Sequence, residues 1–337
     1  MTDVPSAPIH TAMQRRRFVA TLAGAIGLAP LASCIADIGA STEPLGPTVD
    51  AALGRSSVSG LGVLSFNVLA PCWAHPSYYP ASSALLLDRV ARRRSIIDFL
   101  LGQAGTVDVI MLQEVAQAEF VFFEEALKQN FAGFYVNHAS TYWSSWITPV
   151  PAWEPNGNAI FVRRARFSTF AFRDLTASAS GNHAALFSGV LRNSTKTVRA
   201  ASIHLDSDSP QNRKQELGAI LAAWPAQSSA VDVIAGDFNF ETDAGNLKAD
   251  IGKAGYLNVL EQLGTATQTH PWSSTYYGAD NWGVIDHIIT RNSTPLSGRV
   301  IDFDLFKTYP NDEVSRINSN LRLCGSDHFP IVGSVTV

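Results

Sequence analysis

Cysteine is close to missing from this chain. Of 337 residues three are cysteine, and one of these, Cys34, falls in the leader described below. Cys72 and Cys324 are left to the body, too few for a disulfide scaffold and without the spacing of a zinc site. A single bridge between them is the most that an oxidising compartment allows. An excess of charge of one sign is lacking too. The formal net charge is −4 and charged residues make up 16% of the chain, so no global basic field advertises nucleic acid, although a local patch would suffice. Beyond the first segment no apolar run reaches the roughly 20 residues of a membrane span, and the body holds no low-complexity tract. What remains is a globular chain, 46% hydrophobic, with length enough for a large core.

The N-terminal segment stands apart. Arg15, Arg16 and Arg17 precede the stretch FVATLAGAIGLAPLASC, which has the charged start and short apolar run of an export signal. The Arg-Arg-Arg-Phe start resembles a twin-arginine signal, and Leu31-Ala32-Ser33-Cys34 resembles a lipoprotein cleavage box. Residues 1–33 therefore read as a signal peptide, and Cys34 as a lipid-anchored residue on a flexible tether over 34–59, rich in Ser, Gly, Pro and Ala. The body, 60–337, is expected at a bacterial cell envelope, attached to the membrane through Cys34 alone or free in the periplasm or medium. No protein partner is implied.

The body alternates strand and helix signals. LGVLSFN (61–67) and VDVIMLQE (107–114) are buried-type strands around a helix over 85–103, where Leu86, Val90, Ile97, Leu100 and Leu101 recur at helical spacing. VRAASIHL (198–205) and VDVIAGDFN (231–239) repeat the pattern around a helix opened by Pro210. Between the halves GNAIFVRR, RFSTFAFRDL and AALFSGVLR look like an antiparallel meander, and GVIDHIIT and SDHFPIVGSV supply two further strands. The fold class expected is α/β (α+β): a four-layered sandwich of two mixed β-sheets flanked by helices, in one domain.

Each buried strand finishes on a polar residue. Right-handed crossovers place such ends on one edge, where open α/β sheets form their sites. Asn67, Glu114, His204, Asp237 and Asn239 thus become neighbours, although Gly-Asp-Phe-Asn taken alone reads first as a turn. Glu114 with Asn67, and Asp327 beside them, is a sparse set of hard oxygen donors that suits Mg²⁺ or Mn²⁺ rather than zinc. Asp286 and His328 can meet as a carboxylate–imidazole pair for acid–base work. His287 follows Asp286 directly, points to the opposite face, and reads as structural.

The ordered set Ser-Phe-Asn67, Leu-Gln-Glu114, Ile-His204-Leu, Gly-Asp237-Phe-Asn239, Ile-Asp286-His and Ser-Asp327-His328 resembles the endonuclease/exonuclease/phosphatase superfamily over roughly residues 60 to 337. Its branches include deoxyribonucleases, abasic-site endonucleases, neutral sphingomyelinases, inositol-polyphosphate 5-phosphatases and the deadenylase/nocturnin group. The resemblance implies that Glu114 is the principal Mg²⁺ ligand, with Asn67 and Asp327 beside it. It implies that Asp237 orients and helps deprotonate the attacking water, that Asn239 and His204 hold phosphoryl oxygens, and that His328, oriented by Asp286, completes the acid–base machinery. The implied reaction is metal-assisted, in-line hydrolysis of a phosphoester.

SFNVLAPCWAHPSYYP and DVIMLQEV look most like the deadenylase/nocturnin branch, but an exported protein meets little messenger RNA, so only the architecture carries over. Nucleic acid, sphingomyelin-type phospholipid and phosphoinositide stay open as substrates, as do monoester and diester; a binding module with a dead site is the rival. Trp143, Trp146 and Trp153 in one loop, and Trp272, Tyr276, Tyr277 and Trp282 in another, suit base stacking, a membrane interface or plain packing.

Overall fold

The computed structural model describes residues 60–138, 154–177, 181–207, 209–224, 229–240, 247–271 and 283–337. The leader, the tether and both aromatic loops lie outside these residues.

Strand β1 (Gly60–Asn67) is buried at every position, because one face meets a second sheet and the other meets helices. It runs parallel to β2 (Val109–Ala116) through helix α1 (Arg89–Gln103). Asp88 caps α1 by accepting from Val90 N and Ala91 N. This corrects the expected start at residue 85 and turns the buried face. Arg92, Ile96, Phe99 and Leu100 point inward, whereas Val90 and Leu101, expected in the apolar stripe, are largely exposed. Helix α2 (Gln117–Leu127) follows, then β3 (Phe131–Asn137) and β4 (Asn156–Arg163). Glu119 of α2 takes both Arg89 and Arg93 of α1, with Arg93 Nε at 2.6 Å, and so clamps the two helices. Burial opposes ionisation of this carboxyl, but the hydrogen bonds from Arg93 and Arg89 outweigh it and hold Glu119 below the usual range.

The second half repeats the design. β5 (Phe167–Thr176), β6 (His183–Leu191) and β7 (Thr197–His204) form an antiparallel run. β7 is joined to its parallel partner β8 (Ala230–Asp237) by helix α3 (Pro210–Ala222). Helix α4 (Leu247–Lys253), β9 (Leu257–Asn258), β10 (Asp286–Arg291), β11 (Pro295–Val300), helix α5 (Glu313–Cys324) and β12 (Ile331–Thr336) complete the described chain as it concerns the site. The sheets have the orders β11-β12-β1-β2-β4-β3 and β5-β6-β7-β8-β10-β9. The expected three-strand meander is therefore split, because β4 pairs with β2 and β3 in the first sheet while β5 and β6 belong to the second.

One core fills the space between the sheets, where Val63, Met111 and Ile160 meet Phe187, Ala200 and Val233. A second joins Phe66, Ile110 and Leu112 to Ile96, Phe99 and Phe123 of α1 and α2. A third joins Ile203 and Ile234 to Leu217, Ile220 and Ile251 of α3 and α4. The result is the four-layered sandwich with two mixed six-stranded sheets. Cys72 and Cys324 are both free thiols, so the bridge allowed by their number is not made. Cys324 is instead a buried group bonded to Asn320 of its own helix, its thiol pushed up to about 12 by burial.

Candidate active site

The two parallel pairs deliver their ends to one place. Asn67 of β1 stands beside Gln113 of β2, and His204 of β7 beside Asp237 of β8. Beneath them Gln113 ties the sheets together, donating to Ser202 Oγ at 3.0 Å, while Ser202 Oγ donates to Leu112 O at 3.0 Å. Glu114 comes next on β2, at a bulge where two of its residues oppose one of β4, and it is held at φ 58°. A bulge re-aims a side chain, and positive φ on a non-glycine residue is a cost that marks constrained sites. Glu114 Oε2 accepts from Ala70 N at 2.8 Å and Oε1 from Asn67 Nδ2 at 3.1 Å.

Asn67, expected as a metal ligand, stands between the two strand pairs. Its Oδ1 accepts from Leu69 N at 3.0 Å, so its Nδ2 faces Glu114 and also Asp237 Oδ2 at 3.1 Å. It bridges two carboxylates as a donor, and Oδ1, with one hydrogen bond accepted, keeps its second lone pair.

Asp237 is the hub. His204 Nε2 and His328 Nε2 each lie 3.7 Å from its Oδ2, and Asn239 N donates to its Oδ1 at 2.8 Å. Asn239 itself sits at φ 54° and donates from Nδ2 to Leu205 O at 2.8 Å. The turn reading of Gly-Asp-Phe-Asn and the site reading are thus one structure: an Asx-type turn hands Asp237 and Asn239 to the cleft.

Asp286 begins β10 and its Oδ2 lies 3.0 Å from His328 Nδ1. Asp327 and His328 stand in the loop before β12 rather than on the expected strand. Burial alone would push His328 down, but Asp286, Asp237 and Asp327 surround it and hold it protonated well above the usual imidazole range. His287 points away as expected: its ring lies 3.0 Å from Phe240 O and packs on Phe238.

Sequence reasoning missed three neighbours of this site. His270 is fully buried with Nε2 3.3 Å from His328 Nε2; an isolated histidine in a loop carries no signal of that contact. Tyr79 donates its hydroxyl to Asp327 Oδ2 at 2.8 Å. Arg92, buried on α1, donates to Gly325 O at 2.8 Å, to Val68 O at 2.7 Å and to Leu69 O. It ties the loop after Asn67 to the loop before Asp327, and Ser326 Oγ adds a bond to Asn67 O at 2.6 Å.

The donor set fits a hard cation. Asp327 Oδ1 is buried with no hydrogen-bond partner among the described residues, and such an orphaned carboxylate oxygen costs free energy unless a cation meets it. Glu114 supplies a second carboxylate. His270, Asp286 and His328 also bring ligand-type atoms within 4.8 Å of one another, but Asp286 and His328 are already bonded to each other there, and two nitrogens suit softer ions.

The sequence matches the model of the Endonuclease/Exonuclease/phosphatase family over residues 64–328. No curated protein matches it. Among solved structures, D. rerio TDP2 complexed with a single-strand DNA product is 19% identical, with a TM-score of 0.53 over 83% of this chain and 100% of that one. The human Nocturnin catalytic domain with bound sulfate is 17% identical, with a TM-score of 0.57 over 82% and 95%. ANGEL2, a 2′,3′-cyclic phosphatase in complex with adenosine-2′,3′-vanadate, is 13% identical, with a TM-score of 0.60 over 83% and 96%.

Proposed function

The chain belongs to the endonuclease/exonuclease/phosphatase family of metal-dependent phosphoesterases, and on that premise we propose that it is an exported Mg²⁺-dependent hydrolase of phosphodiesters, with Mn²⁺ as a substitute ion. The observation that carries this reading is the meeting of Glu114, Asn67, Asp237 and His204, from the ends of both parallel strand pairs, with the Asp286–His328 pair from β10 and the loop before β12.

Glu114 and Asp327, with Asn67 beside them, would hold the ion, which when bound supplies Lewis-acid charge to the phosphoryl group. The remaining work falls to the protein's own groups. Asp237 Oδ2, within 3.7 Å of two imidazoles and 3.1 Å of Asn67, is the acceptor that orients a water and draws its proton. Asn67 keeps Asp237 and Glu114 in fixed relation. His328, kept cationic by its carboxylates, donates to a phosphoryl oxygen as negative charge gathers there, and His204 flanks it. Glu114, Asp237 and Asp327 would repel an anionic substrate, and His328, with the charge a bound ion would add, offsets that repulsion.

The test is hydrolysis of bis(p-nitrophenyl) phosphate, followed by a panel of nucleotidyl diesters, DNA, RNA, sphingomyelin and phosphoinositides. Two of the similar structures hold nucleotidyl ligands or products, which puts nucleotidyl diesters first. Turnover that needs Mg²⁺ or Mn²⁺ and vanishes in EDTA is expected. Absence of divalent-dependent turnover across the panel defeats the reading.

A further inference from the structure

Buried polar atoms without a partner among the described residues flank the site: Asp327 Oδ1 on the cation side, and Asn158 Oδ1 and His138 Nε2 on the other, of which only His138 Nε2 can be a donor. His138 follows the last residue of β3 in the first sheet, and its backbone N donates to Asn156 O at 3.1 Å. Its ring crosses to the second sheet, where Nδ1 accepts from His183 N at 3.0 Å. That bond fixes the tautomer. Nδ1 is an acceptor, so the neutral ring carries its proton on Nε2.

The ring stands edge-on to His204, with centroids 6.2 Å apart. His204 in turn neighbours Asp237, and β6 continues the same register, with Ala185 opposite Ser202, so that His183 falls on the same line across the sheet. A row of imidazoles therefore leads away from the reacting centre. Asp174 Oδ1, 2.7 Å from His183 Nδ1, closes its far end. Burial, reinforced by His204 and His183, pushes His138 down to about 3, so the ring stays neutral at working pH.

Resting on the phosphodiesterase reading above, we propose that His138 is a substrate-binding residue whose Nε2–H takes an oxygen acceptor on the group esterified to the scissile phosphoryl. Three observations converge on this role: an enclosed donor without a partner among the described residues, a tautomer set by the backbone, and ring contact with a histidine of the reacting centre. A neutral donor in this position recognises oxygen, as a sugar hydroxyl, a ring oxygen or a second phosphoryl presents it. It offers nothing to a quaternary ammonium. The site thereby selects sugar-bearing arms over choline-like arms.

The experiment compares two chromogenic diesters that share a leaving group, thymidine 5′-(p-nitrophenyl phosphate) and p-nitrophenyl phosphorylcholine. The wild-type protein is expected to prefer the thymidine arm. His138→Phe, which keeps the ring against His204 and removes the donor, is expected to cut that preference about fivefold, the size of one neutral hydrogen bond, mainly through KM. His138→Gln, with both an acceptor for His183 N and a donor, is expected to restore most of it. An equal loss on both diesters would show a structural role and overturn the proposal, as would an unchanged preference. Calorimetric binding of thymidine 5′-monophosphate against inorganic phosphate makes the same comparison without turnover. It therefore stands even where both diesters resist hydrolysis, a result that would count against the phosphodiesterase reading alone. A thymidine-to-phosphate affinity ratio that is the same in wild type and His138→Phe overturns the proposal by that route as well.

Discussion

His328 is pulled in two directions, by Asp286 at Nδ1 and by Asp237 and His270 around Nε2. A carboxylate bonded at one nitrogen and a second near the other is the arrangement that keeps an imidazole charged and aimed. The sign of its pH dependence follows. A group whose ionised form is favoured by neighbouring carboxylates stays protonated as pH rises and loses its proton only above the usual imidazole range, so an activity that needs the cation falls on the alkaline side. Asp286→Asn removes one of the carboxylates that raise His328. The alkaline limb of kcat should therefore move toward neutral pH, and the plateau rate should drop by roughly 10²-fold, within the usual range of a positioned acid–base group. A pH–rate profile whose alkaline limb stays in place would show that His328 is not needed as the cation. Part of this cluster was legible: Asp286 and His328 carry recognisable motifs. His270 and Tyr79 do not, because each contributes one side chain to a contact whose partner lies far along the chain.

Elements decide whether those side chains can meet at all. Parallel strands buried on both faces must be nearly continuous apolar runs, and β1, β2, β7 and β8 were legible for that reason, with their polar ends standing out against the core. β11 was not, since Pro295 and Gly298 argue against a strand and only its edge position tolerates them. α5 was equally hidden, because Arg316, Asn318 and Asn320 occupy its buried face where apolar periodicity was sought. The most exacting position is Gly236 in β8. A Cβ there would lie 1.8 Å from Ile203 O of the paired strand, and that pairing, Ile203 beside Gly236 and His204 beside Asp237, sets the register of the site. Gly236→Ala should cost several kcal/mol, roughly 3 or more, since backbone would have to move to relieve the clash. Thermal unfolding should report it directly. A variant with wild-type Tm and wild-type kcat would mean that β7 and β8 are not held in this register.

At the scale of the whole molecule the two halves are equivalent in plan: each sheet places a parallel pair beside antiparallel neighbours and offers its polar strand ends to the shared cleft. How that body is held at an envelope is a proposal that rests on residues outside the described part. A chain of net charge −4 is not drawn to anionic lipid headgroups by its overall charge, and among the described residues no helix is long and apolar enough to cross a bilayer. Attachment by a lipid at Cys34 is then distinguishable from adsorption, since high salt strips a protein held by charge and leaves one held by acyl chains. The wild-type protein, expressed with its own leader in a bacterial host, should stay in the membrane fraction through a high-salt wash and leave it in detergent. Cys34→Ala should appear in the soluble fraction with its kcat and KM on a soluble diester unchanged, because Cys34 precedes every residue of the site in the chain. Wild-type protein recovered wholly in the soluble fraction would defeat the anchor and leave the site untouched.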